Sequence, residues 1–525
     1  MPFKSPFPDV EYPDGSVYDF LFGTLSEQDA AKPAVFDTLT GAGLTYGELK
    51  AHIDAFAGGL SARGVRQGDV IALHVPNTAA FVIAFHGILR AGATVTTLNS
   101  LYTPTEIARQ LVDSKASRYI TVSLLLPNAK PAAEQVGITD VIVLDPTEGY
   151  DSLVDLVSTG TPAPDVTVTG SDLAVLPYSS GTTGNAKGVM LTHTNLVSNV
   201  AQSAPLLAVQ DDDVVLAVLP FFHIYGMNAL LNLALFKRAK VVTLPRFELA
   251  DFLKAIQEQK ITYLYIAPPM AVALAKHPLV DGFDITTVRV LISGAAPLDE
   301  ALGKAVEAKL NARMIQGYGM TELSPVSHVT PVDRPDLSIG SIGLALPNTE
   351  FRLVDPATGA DIEANPDGHS AAGELWIRGP QVMRGYLNNE SATAETIDAE
   401  GWLHTGDIGE LAADGTVFIV DRLKELIKYK GYQVPPAELE ALLLTHPAIA
   451  DSAVVAYPDE ESGEIPRAFV VVKDGEKLSA EEVLEFVAAR VAPYKKVRLV
   501  QFTDAIPKSA SGKILRKDLR GLPVA

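Results

Sequence analysis

The stretch from Ser179 to Gly188 combines residue types that suit the binding of a polyphosphate. It offers backbone N–H groups, hydroxyl groups and one ammonium group, and its glycines allow a ligand to approach the backbone closely. Apolar residues precede and follow it, which predicts a loop between two strands. The spacing does not fit the common phosphate loop GxxxxGK[ST], and a flexible surface turn is the simpler interpretation. In order, the residues are Ser179, Ser180, Gly181, Thr182, Thr183, Gly184, Asn185, Ala186, Lys187 and Gly188.

Residues 316–322 join a tight glycine turn to an aromatic ring, a hydroxyl group and a carboxylate. The face of Tyr318 could stack on adenine, and Glu322 beside phosphate oxygens could bind Mg²⁺. A turn between a strand and a helix is the simpler interpretation. In order, the residues are Gln316, Gly317, Tyr318, Gly319, Met320, Thr321 and Glu322.

Single polar residues provide further candidates. Asp407 and Arg422 end apolar runs, where Asp407 could accept hydrogen bonds from ribose hydroxyls; a turn or a surface ion pair is the simpler interpretation. Lys513 lies in a Ser- and Gly-containing stretch that could present it on a mobile loop, although an exposed tail lysine is the ordinary case. His223 stands among apolar residues with no adjacent carboxylate, which is typical of a hydrogen-bonded core histidine.

The surrounding sequence alternates short β-rich runs with amphipathic stretches, a pattern typical of an α/β fold. Helical signals become sparse between about residues 340 and 420, which predicts a small, mostly β subdomain in which Glu374 and Arg378 share one face of a strand. A second β/α alternation follows, with a capped helix over 435–444. Strands are predicted at 69–75, 93–98, 213–219, 262–267, 288–292, 452–456, 468–472 and 497–502, and further helices at 79–89, 249–259 and 480–491.

The length and the charge distribution predict two domains. A chain of 525 residues is too long for one core. The net charge is −21, and residues 424–525 hold equal numbers of acidic and basic side chains, so the whole excess lies in residues 1–423. We therefore expect a large N-terminal α/β domain over 1–423 and a small, mobile α+β lid domain over 424–525. The basic run at 490–520 is either a solvated face or a cationic lid over a polyphosphate.

Composition narrows the class of protein. The acidic net charge argues against nucleic-acid or anionic-membrane partners, and no apolar run approaches the ~18 residues of a membrane span. Neither end of the sequence carries a targeting signal, so we expect a cytoplasmic enzyme, monomeric or homodimeric, that acts on small molecules. The chain contains no cysteine, which excludes disulfides, thiolate metal sites and cysteine nucleophiles.

Taken together, the motifs over residues 179–513 resemble those of the adenylate-forming, acyl-activating superfamily. The resemblance covers essentially the whole chain and is strongest to 4-coumarate–CoA ligases and bacterial cinnamate–CoA ligases. The matching stretches are Phe222-His223-Ile224-Tyr225, Tyr318-Gly319-Met320-Thr321-Glu322, Lys424-Glu425-Leu426-Ile427-Lys428-Tyr429-Lys430-Gly431 and Gln433-Val434-Pro435-Pro436-Ala437-Glu438.

The resemblance implies two half-reactions that use ATP, Mg²⁺ and CoA. A substrate carboxylate attacks the α-phosphorus of ATP to give an acyl-adenylate and pyrophosphate, and the CoA thiol then attacks the acyl carbonyl and releases AMP. Catalysis of the first step must be largely positioning and charge stabilisation. The family also implies that the small domain rotates about a hinge at Lys424 between the two steps.

Residue roles follow from the same resemblance. Lys513 would bridge the acyl carboxylate and the α-phosphate, His223 would position the carboxylate, and Glu322 would hold Mg²⁺. The catalytic set would be Lys513, His223, Lys428, Gln433 and Glu322. ATP and AMP would be bound by Ser179, Ser180, Gly181, Thr182, Thr183, Gly184, Lys187, Gly294, Ala295, Gln316, Gly317, Tyr318, Thr321, Asp407 and Arg422. The acyl group would contact Ile224, Tyr225, Asn228, Gly294, Ala295, Gly319, Pro325 and Val326, and CoA would pass Lys430 and Gly431.

Three departures from the plant pattern bear on the substrate. Ile292 stands where plant coumarate enzymes carry a lysine, Gly226 and Met227 replace Ala-Leu, and Trp376 replaces a cysteine. Small residues predict a narrow slot for a flat ring, and Tyr225 and Asn228 could bond a para-hydroxyl group. The sequence leaves open 4-coumarate, unsubstituted cinnamate or another aryl acid. It also leaves open a medium-chain fatty acid, amino-acid activation, luciferase-type oxygenation and a non-enzymatic binding protein.

Overall fold

The strands and helices follow the α/β alternation expected from the sequence. The computed structural model describes residues 2–179, 186–430, 432–459, 462–509 and 512–523, with the backbone alone for residues 432 and 433. The strands are β1 (Phe3–Lys4), β2 (Pro33–Asp37), β3 (Gly43–Thr45), β4 (Val70–His74), β5 (Thr94–Thr97), β6 (Arg118–Thr121), β7 (Val141–Val143), β8 (Leu173–Val175), β9 (Tyr178–Ser179), β10 (Lys187–Thr192), β11 (Val214–Ala217), β12 (Lys240–Thr243), β13 (Tyr263–Ile266), β14 (Val290–Ser293), β15 (Arg313–Gly319), β16 (Val326–Val329), β17 (Leu344–Ala345), β18 (Glu350–Val354), β19 (Gly373–Arg378), β20 (Gly385–Tyr386), β21 (Leu403–Leu411), β22 (Val417–Arg422), β23 (Ile427–Tyr429), β24 (Tyr432–Val434), β25 (Ile449–Asp459), β26 (Gly463–Val472) and β27 (Leu499–Phe502).

Helices connect many of these strands. They are α1 (Val17–Phe22), α2 (Glu27–Ala30), α3 (Tyr46–Ala62), α4 (Ala79–Arg90), α5 (Pro104–Ser114), α6 (Leu126–Val136), α7 (Leu153–Val157), α8 (His193–Leu207), α9 (Leu233–Phe236), α10 (Leu249–Gln259), α11 (Pro268–Lys276), α12 (Glu300–Leu310), α13 (Glu390–Thr396), α14 (Pro436–Leu444), α15 (Ala480–Ala488) and α16 (Arg516–Arg520). In the described ranges, no helix combines the length and the apolar character that a membrane span requires.

Two largely parallel sheets form the body of the large domain. The first has the strand order β20-β10-β8-β5-β4-β6-β7, with β9 paired to β10, and the second the order β17-β16-β15-β14-β13-β11-β12-β2-β3. Central strands such as β5, β13 and β14 are buried along their whole length, as expected for parallel strands that are covered on both faces. One continuous apolar core unites the two sheets, with Val95 from the first and Val215 from the second.

The third and fourth sheets have their own cores. The third is antiparallel, with the order β1-β18-β19-β21-β22, which matches the predicted β subdomain. Along β19, buried and half-buried residues alternate, so Glu374 and Arg378 share a face as expected. The fourth has the order β24-β23-β26-β25, with β27 beside β26, and together with α14–α16 it forms the small C-terminal unit.

Local signals explain where most helices begin. Capping boxes start several helices at Thr45, Thr103, Ser152, Thr192 and Ser479. The helix predicted over 435–444 forms as α14, but Pro435 supplies no side-chain cap. The expected capping residue is therefore absent from the local sequence.

Candidate functional site

The carboxylate of Glu322 is the centre of one group of predicted residues. It lies in a short 3-10 turn after β15 and is 5% exposed. The Ser179 hydroxyl donates to Oε1 at 3.2 Å, and the Tyr386 hydroxyl donates to the same oxygen at 2.8 Å. The ammonium of Lys187 lies 4.6 Å from the centre of the Tyr386 ring. The structure thus brings the two ends of the predicted phosphate loop, Ser179 and Lys187, to the predicted magnesium ligand.

The residues that flank the loop pair as the antiparallel strands β9 and β10, as the sequence indicated. The central residues of the loop lie outside the described ranges, so their predicted phosphate contacts remain a prediction. These are Ser180, Gly181, Thr182, Thr183, Gly184 and Asn185.

The predicted ribose-binding pair lies at the junction of the second and third sheets. The Tyr318 hydroxyl donates to Oδ2 of Asp407, and Nε of Arg422 lies 3.1 Å from Oδ1 of the same carboxylate. Asp407 and Arg422 are neighbours because β21 and β22 pair in that register. Burial and the Asp407 charge raise the pKa of Tyr318 well above 10, so its hydroxyl remains a donor.

The predicted adenine-binding residues lie directly after β14, within β15 and directly after β15. Gly294 is buried, and Ala295 is exposed with φ of 71°, in the left-handed region that favours glycine. Gly317 and Thr321 are half-buried on either side of Tyr318. Gln316 differs from the expectation, because its side chain contacts backbone groups: it donates to Ile339 O and Ser341 O and accepts from Leu298 N–H.

Two of the predicted acyl-binding residues, Tyr225 and Asn228, lie in a π-helical segment over Tyr225–Asn232 that continues directly into α9. π-Helical segments are rare in proteins, and many of those that occur lie at functional sites. The Tyr225 hydroxyl donates to Ile292 O at 3.2 Å, and a side chain at Gly294 would begin 2.9 Å from the Tyr225 ring. The ring therefore lies directly against Gly294.

Asn228 is positioned by a buried polar network. Its amide donates to Ser324 O at 2.6 Å and to Leu196 O at 3.2 Å, and its oxygen accepts from Asn232. The oxygen of Asn232 is in turn 3.1 Å from Nε2 of His86. The expectation that Asn228 donates to a substrate hydroxyl does not match this geometry, because both amide hydrogens already have acceptors.

The remaining predicted acyl contacts surround the same segment. Ile224, Pro325 and Val326 are buried, with Pro325 in a cis peptide bond after Ser324. Gly319 allows close packing of backbone against backbone, since a Cβ there would lie 2.0 Å from Pro325 O. The Tyr225 ring and the Pro325 backbone fill the space beside Gly294 and Gly319, and the narrow slot stays a prediction.

His223 lies close enough to Lys513 for the lysine charge to affect its pKa. Burial, together with the Lys513 charge, lowers the pKa of His223 to about 4, so the imidazole is neutral. Nδ1 of His223 accepts from Tyr225 N–H at 3.3 Å, which leaves the proton on Nε2. Burial and the Arg422 charge lower the pKa of Lys513 to about 8, with Asp407 and Glu322 acting in the opposite direction.

A turn of the small domain carries Lys513 to this position. Ser509 N–H donates to Lys513 O at 2.8 Å, and Lys513 N–H donates to Oγ of Ser509 at 3.2 Å. Gly512 has φ of 83° and packs against Pro269 of the large domain, where a Cβ would lie 3.2 Å from the proline ring. A larger residue at 512 would be strained and crowded, so the glycine allows the turn to dock.

The predicted hinge and CoA-side residues lie elsewhere on the small domain. Lys424 is exposed in the turn between β22 and β23. Lys428 and Lys430 are exposed on and next to β23, whereas Gly431 and the Gln433 side chain lie outside the described ranges. The structure therefore groups Lys513, and not Lys428 or Lys430, with His223 and Arg422.

The metal site predicted at Glu322 offers the carboxylate of that residue. In the described part of the chain, no group of three or more His, Cys, Asp or Glu side chains is arranged to hold a metal. Mg²⁺ in nucleotide enzymes is commonly held by one or two carboxylates together with substrate phosphates. The buried Glu322 next to the phosphate loop fits that type of site.

Three residues at the site were given no role in the site by the sequence analysis, although Glu374 was noted on its strand. Tyr386 links Glu322 to Lys187. Glu374 accepts from Gly406 N–H at 3.0 Å and from the Trp376 indole at 2.9 Å, so it holds the backbone next to Asp407. Asp421 bonds across the domain boundary. Single Tyr, Glu and Asp residues in strands carry no local signal that could have marked them.

The structure brings the ends of the predicted phosphate loop, the predicted ribose ligand Asp407 and Lys513 of the small domain to one region, as the activation of an acid by a nucleotide would require. Family comparison agrees: residues 24–387 match the model of the AMP-binding enzymes, and residues 438–513 match the AMP-binding enzyme C-terminal domain. The chain belongs to the AMP-binding enzyme family. It is an AMP-forming acid–CoA ligase that uses ATP and CoA.

Individual relatives cover almost the whole chain. The 4-coumarate--CoA ligase 1 of Solanum tuberosum is 43% identical over 99% of this chain and 96% of its own length. ATP-bound MatB from Rhodopseudomonas palustris has a TM-score of 0.88 at 29% identity, covering 97% of this chain and 98% of that one. A benzoate CoA ligase from Burkholderia xenovorans LB400 has a TM-score of 0.86 at 28% identity, covering 96% and 99%.

Proposed function

We propose that the protein converts a cinnamate-type acid, either cinnamate or a hydroxycinnamate, into its CoA thioester through an acyl-adenylate. The observation that carries the proposal is the aromatic wall of Tyr225 against Gly294, next to His223 and Lys513. A flat conjugated acid suits a site lined by an aromatic ring. The curated relative that acts on 4-coumarate, by its name, supports this choice of acid.

The protonation states support a division of labour in the first step. His223 is neutral and has its proton on Nε2, so it can donate a hydrogen bond to the substrate carboxylate without pairing with it as a cation. Lys513 is cationic below about pH 8 and can neutralise the charge that develops between the carboxylate and the α-phosphate. Both groups act by positioning and electrostatics.

The nucleotide would be held on the opposite side of these groups. Asp407 would accept the ribose hydroxyls, with Tyr318 and Arg422 fixing its carboxylate. Lys187 would contact the phosphates, and Glu322 would hold Mg²⁺ together with phosphate oxygens. When bound, Mg²⁺ would neutralise phosphate charge and so ease the attack by the carboxylate.

The second step would need a different orientation of the small domain. Lys513 occupies the site in the present orientation, while Lys428 and Lys430 are exposed. Rotation at the turn that contains Lys424 would withdraw Lys513 and bring the Lys430 segment toward the acyl group. One cavity would then serve both half-reactions.

The residues around the predicted position of the ring offer no specific partner for a para-hydroxyl group, so the enzyme should not require one on its substrate. The buried Ile292 presents no charge, the Tyr225 hydroxyl is bonded to Ile292 O, and the Asn228 amide is bonded to backbone oxygens. We therefore expect cinnamate to be used about as well as 4-coumarate.

The test is mass-spectrometric detection of acyl-CoA formed by the full chain with ATP, Mg²⁺ and CoA, with pyrophosphate release measured in parallel. The acids are cinnamate, 4-coumarate, caffeate, benzoate, octanoate and palmitate. Thioester mainly from the cinnamates supports the proposal. The ratio of the rates with 4-coumarate and cinnamate then measures how much the para-hydroxyl group contributes. Thioester mainly from octanoate or benzoate would overturn the choice of acid, and pyrophosphate without thioester would overturn CoA as the acceptor.

A further inference from the structure

The first turn of α14 receives its hydrogen-bond acceptor from outside its own domain. Helices begin with unpaired N–H groups that a preceding Ser, Thr, Asp or Asn usually satisfies. Pro435 precedes α14 and offers no such side chain. Instead, Ala437 N–H donates to Oδ2 of Asp421 at 3.1 Å.

Asp421 belongs to the large domain. It lies in β22, which pairs with β21 of the third sheet, and its side chain is 5% exposed. Its other oxygen, Oδ1, accepts from Arg422 N–H at 2.6 Å, so the carboxylate is fixed on its own strand. The helix that it caps lies beyond the exposed Lys424 turn. The hydrogen bond therefore spans the predicted hinge.

The charged groups next to this contact are bonded to one another within the small domain. Arg516 of α16 pairs with Glu425 and, at 2.6 Å, with Glu440 of α14. Glu440 also accepts from Val454 N–H at 2.7 Å. These bonds hold α14 to the rest of the small domain. A contact that fixes the start of α14 therefore also fixes the orientation of the whole small domain, including the Lys513 turn.

We infer that Asp421 is a positioning residue that latches the small domain in the orientation that presents Lys513. The inference rests on the proposed function, in which the two half-reactions use two orientations. A large rotation at Lys424 carries Ala437 away from Asp421, so the cap contributes to the adenylate-forming orientation alone. Given the usual stabilisation by a helix cap, its loss should change the equilibrium constant between the two orientations about fivefold.

The first experiment separates the half-reactions. Asp421→Ala should slow pyrophosphate release with cinnamate and ATP about fivefold, while thioester formation from supplied cinnamoyl-adenylate and CoA stays the same or becomes faster. Asp421→Asn keeps one oxygen acceptor for Ala437 N–H but turns its NH2 group toward Arg422 N–H, so it should recover part of the adenylation rate. The matched control is Ser479→Ala, which removes the cap of α15 wholly inside the small domain.

The ratio of the two rates separates a latch from a general structural role. Ser479→Ala should leave the ratio unchanged, even where it lowers thermal stability as much as Asp421→Ala does. The inference is overturned if Asp421→Ala lowers both rates by the same factor, or if Ser479→Ala changes the ratio equally.

A second experiment measures orientation without any chemistry. Because the chain has no cysteine, Lys254→Cys on the large domain and Lys477→Cys on the small domain allow selective dye labelling of two exposed positions. Single-molecule energy transfer with ATP bound should show a population that Asp421→Ala depletes and Asp421→Asn restores in part. An unchanged distribution would overturn the latch.

The two experiments also distinguish this inference from the proposed function. If the distribution shifts as expected but no acid yields pyrophosphate or thioester, the latch stands and the proposed function fails. If the unmodified protein makes thioester while Asp421→Ala changes neither the distribution nor the rate ratio, the function stands and the latch fails.

Discussion

The ammonium of Lys187 lies over the ring of Tyr386, 4.6 Å from its centre, and the hydroxyl of the same tyrosine donates to Glu322. Tyr386 reaches this position because β20 pairs with β10, with Tyr386 opposite Val189. One side chain thus fixes both the lysine at the end of the phosphate loop and the proposed magnesium ligand. A single substitution can therefore separate the two contacts.

Tyr386→Phe keeps the ring under Lys187 and removes the hydrogen bond to Glu322. Because a hydrogen bond to a charged group is worth more than one between neutral groups, we expect kcat/KM for ATP to fall about tenfold. Pyrophosphate release at several Mg²⁺ concentrations measures the effect, which should be larger at low Mg²⁺.

The matched control is Tyr119→Phe, which removes another buried hydroxyl, bonded to His74 away from the site. It should leave the ATP dependence unchanged. Equal losses in the two variants would contradict a specific role for Tyr386.

The lowered pKa of Lys513 predicts a pH dependence of adenylation. Burial and Arg422 bring that pKa to about 8, so in the free enzyme the amine is charged below pH 8 and loses its charge above it. We expect kcat/KM for adenylation to decline above about pH 8. Lys513→Arg should remove this decline, because a guanidinium stays protonated throughout.

Removing the cation tests its place in the reaction. Lys513→Ala should abolish pyrophosphate release but leave CoA transfer from supplied acyl-adenylate largely intact. Lys508→Ala is the control, because Lys508 lies on the same turn and pairs with Asp451. Loss of both half-reactions in Lys513→Ala would show that its assigned role is wrong.

Gly294→Ala tests the aromatic wall. The added methyl group would lie 2.9 Å from the Tyr225 ring, so the ring must leave its present position. Overpacking of this kind should reduce kcat/KM for cinnamate by about ten- to hundredfold. The control Gly282→Ala adds the same group where nothing lies within 4 Å, and thermal unfolding of both variants checks that they fold. Unimpaired turnover of cinnamate by Gly294→Ala would place the acyl group elsewhere.

Lys424→Pro tests the hinge. Proline fixes φ near −65° and restricts the preceding residue, so it stiffens the exposed turn. Since Lys513 already occupies the site in the present orientation, adenylate formation should persist and thioester formation should be the step that slows. Lys424→Ala, which leaves φ free, should be close to the unmodified protein in both rates. Normal thioester formation by Lys424→Pro would rule out rotation at this turn.

Much of the architecture was readable from the chain. The periodic segments predicted α4, α10 and the parallel strands β4, β5, β11, β13 and β14 to within a few residues, because buried strands and amphipathic helices depend on local pattern. The order of motifs also indicated the class of enzyme, since a phosphate loop, an aromatic turn and a C-terminal lysine in that sequence are highly specific.

Only the tertiary structure decided which polar groups meet. Tyr386 reaches Glu322 through strand pairing, and Asp421 caps α14 across a domain boundary, so neither contact has a signature in neighbouring residues. Asn228 looked available to a substrate, but packing against Leu196 and Ser324 engages its amide. Periodicity specifies which face of an element is buried, whereas hydrogen-bond partners depend on residues far apart in the chain, and these are fixed only when the sheets and domains pack together.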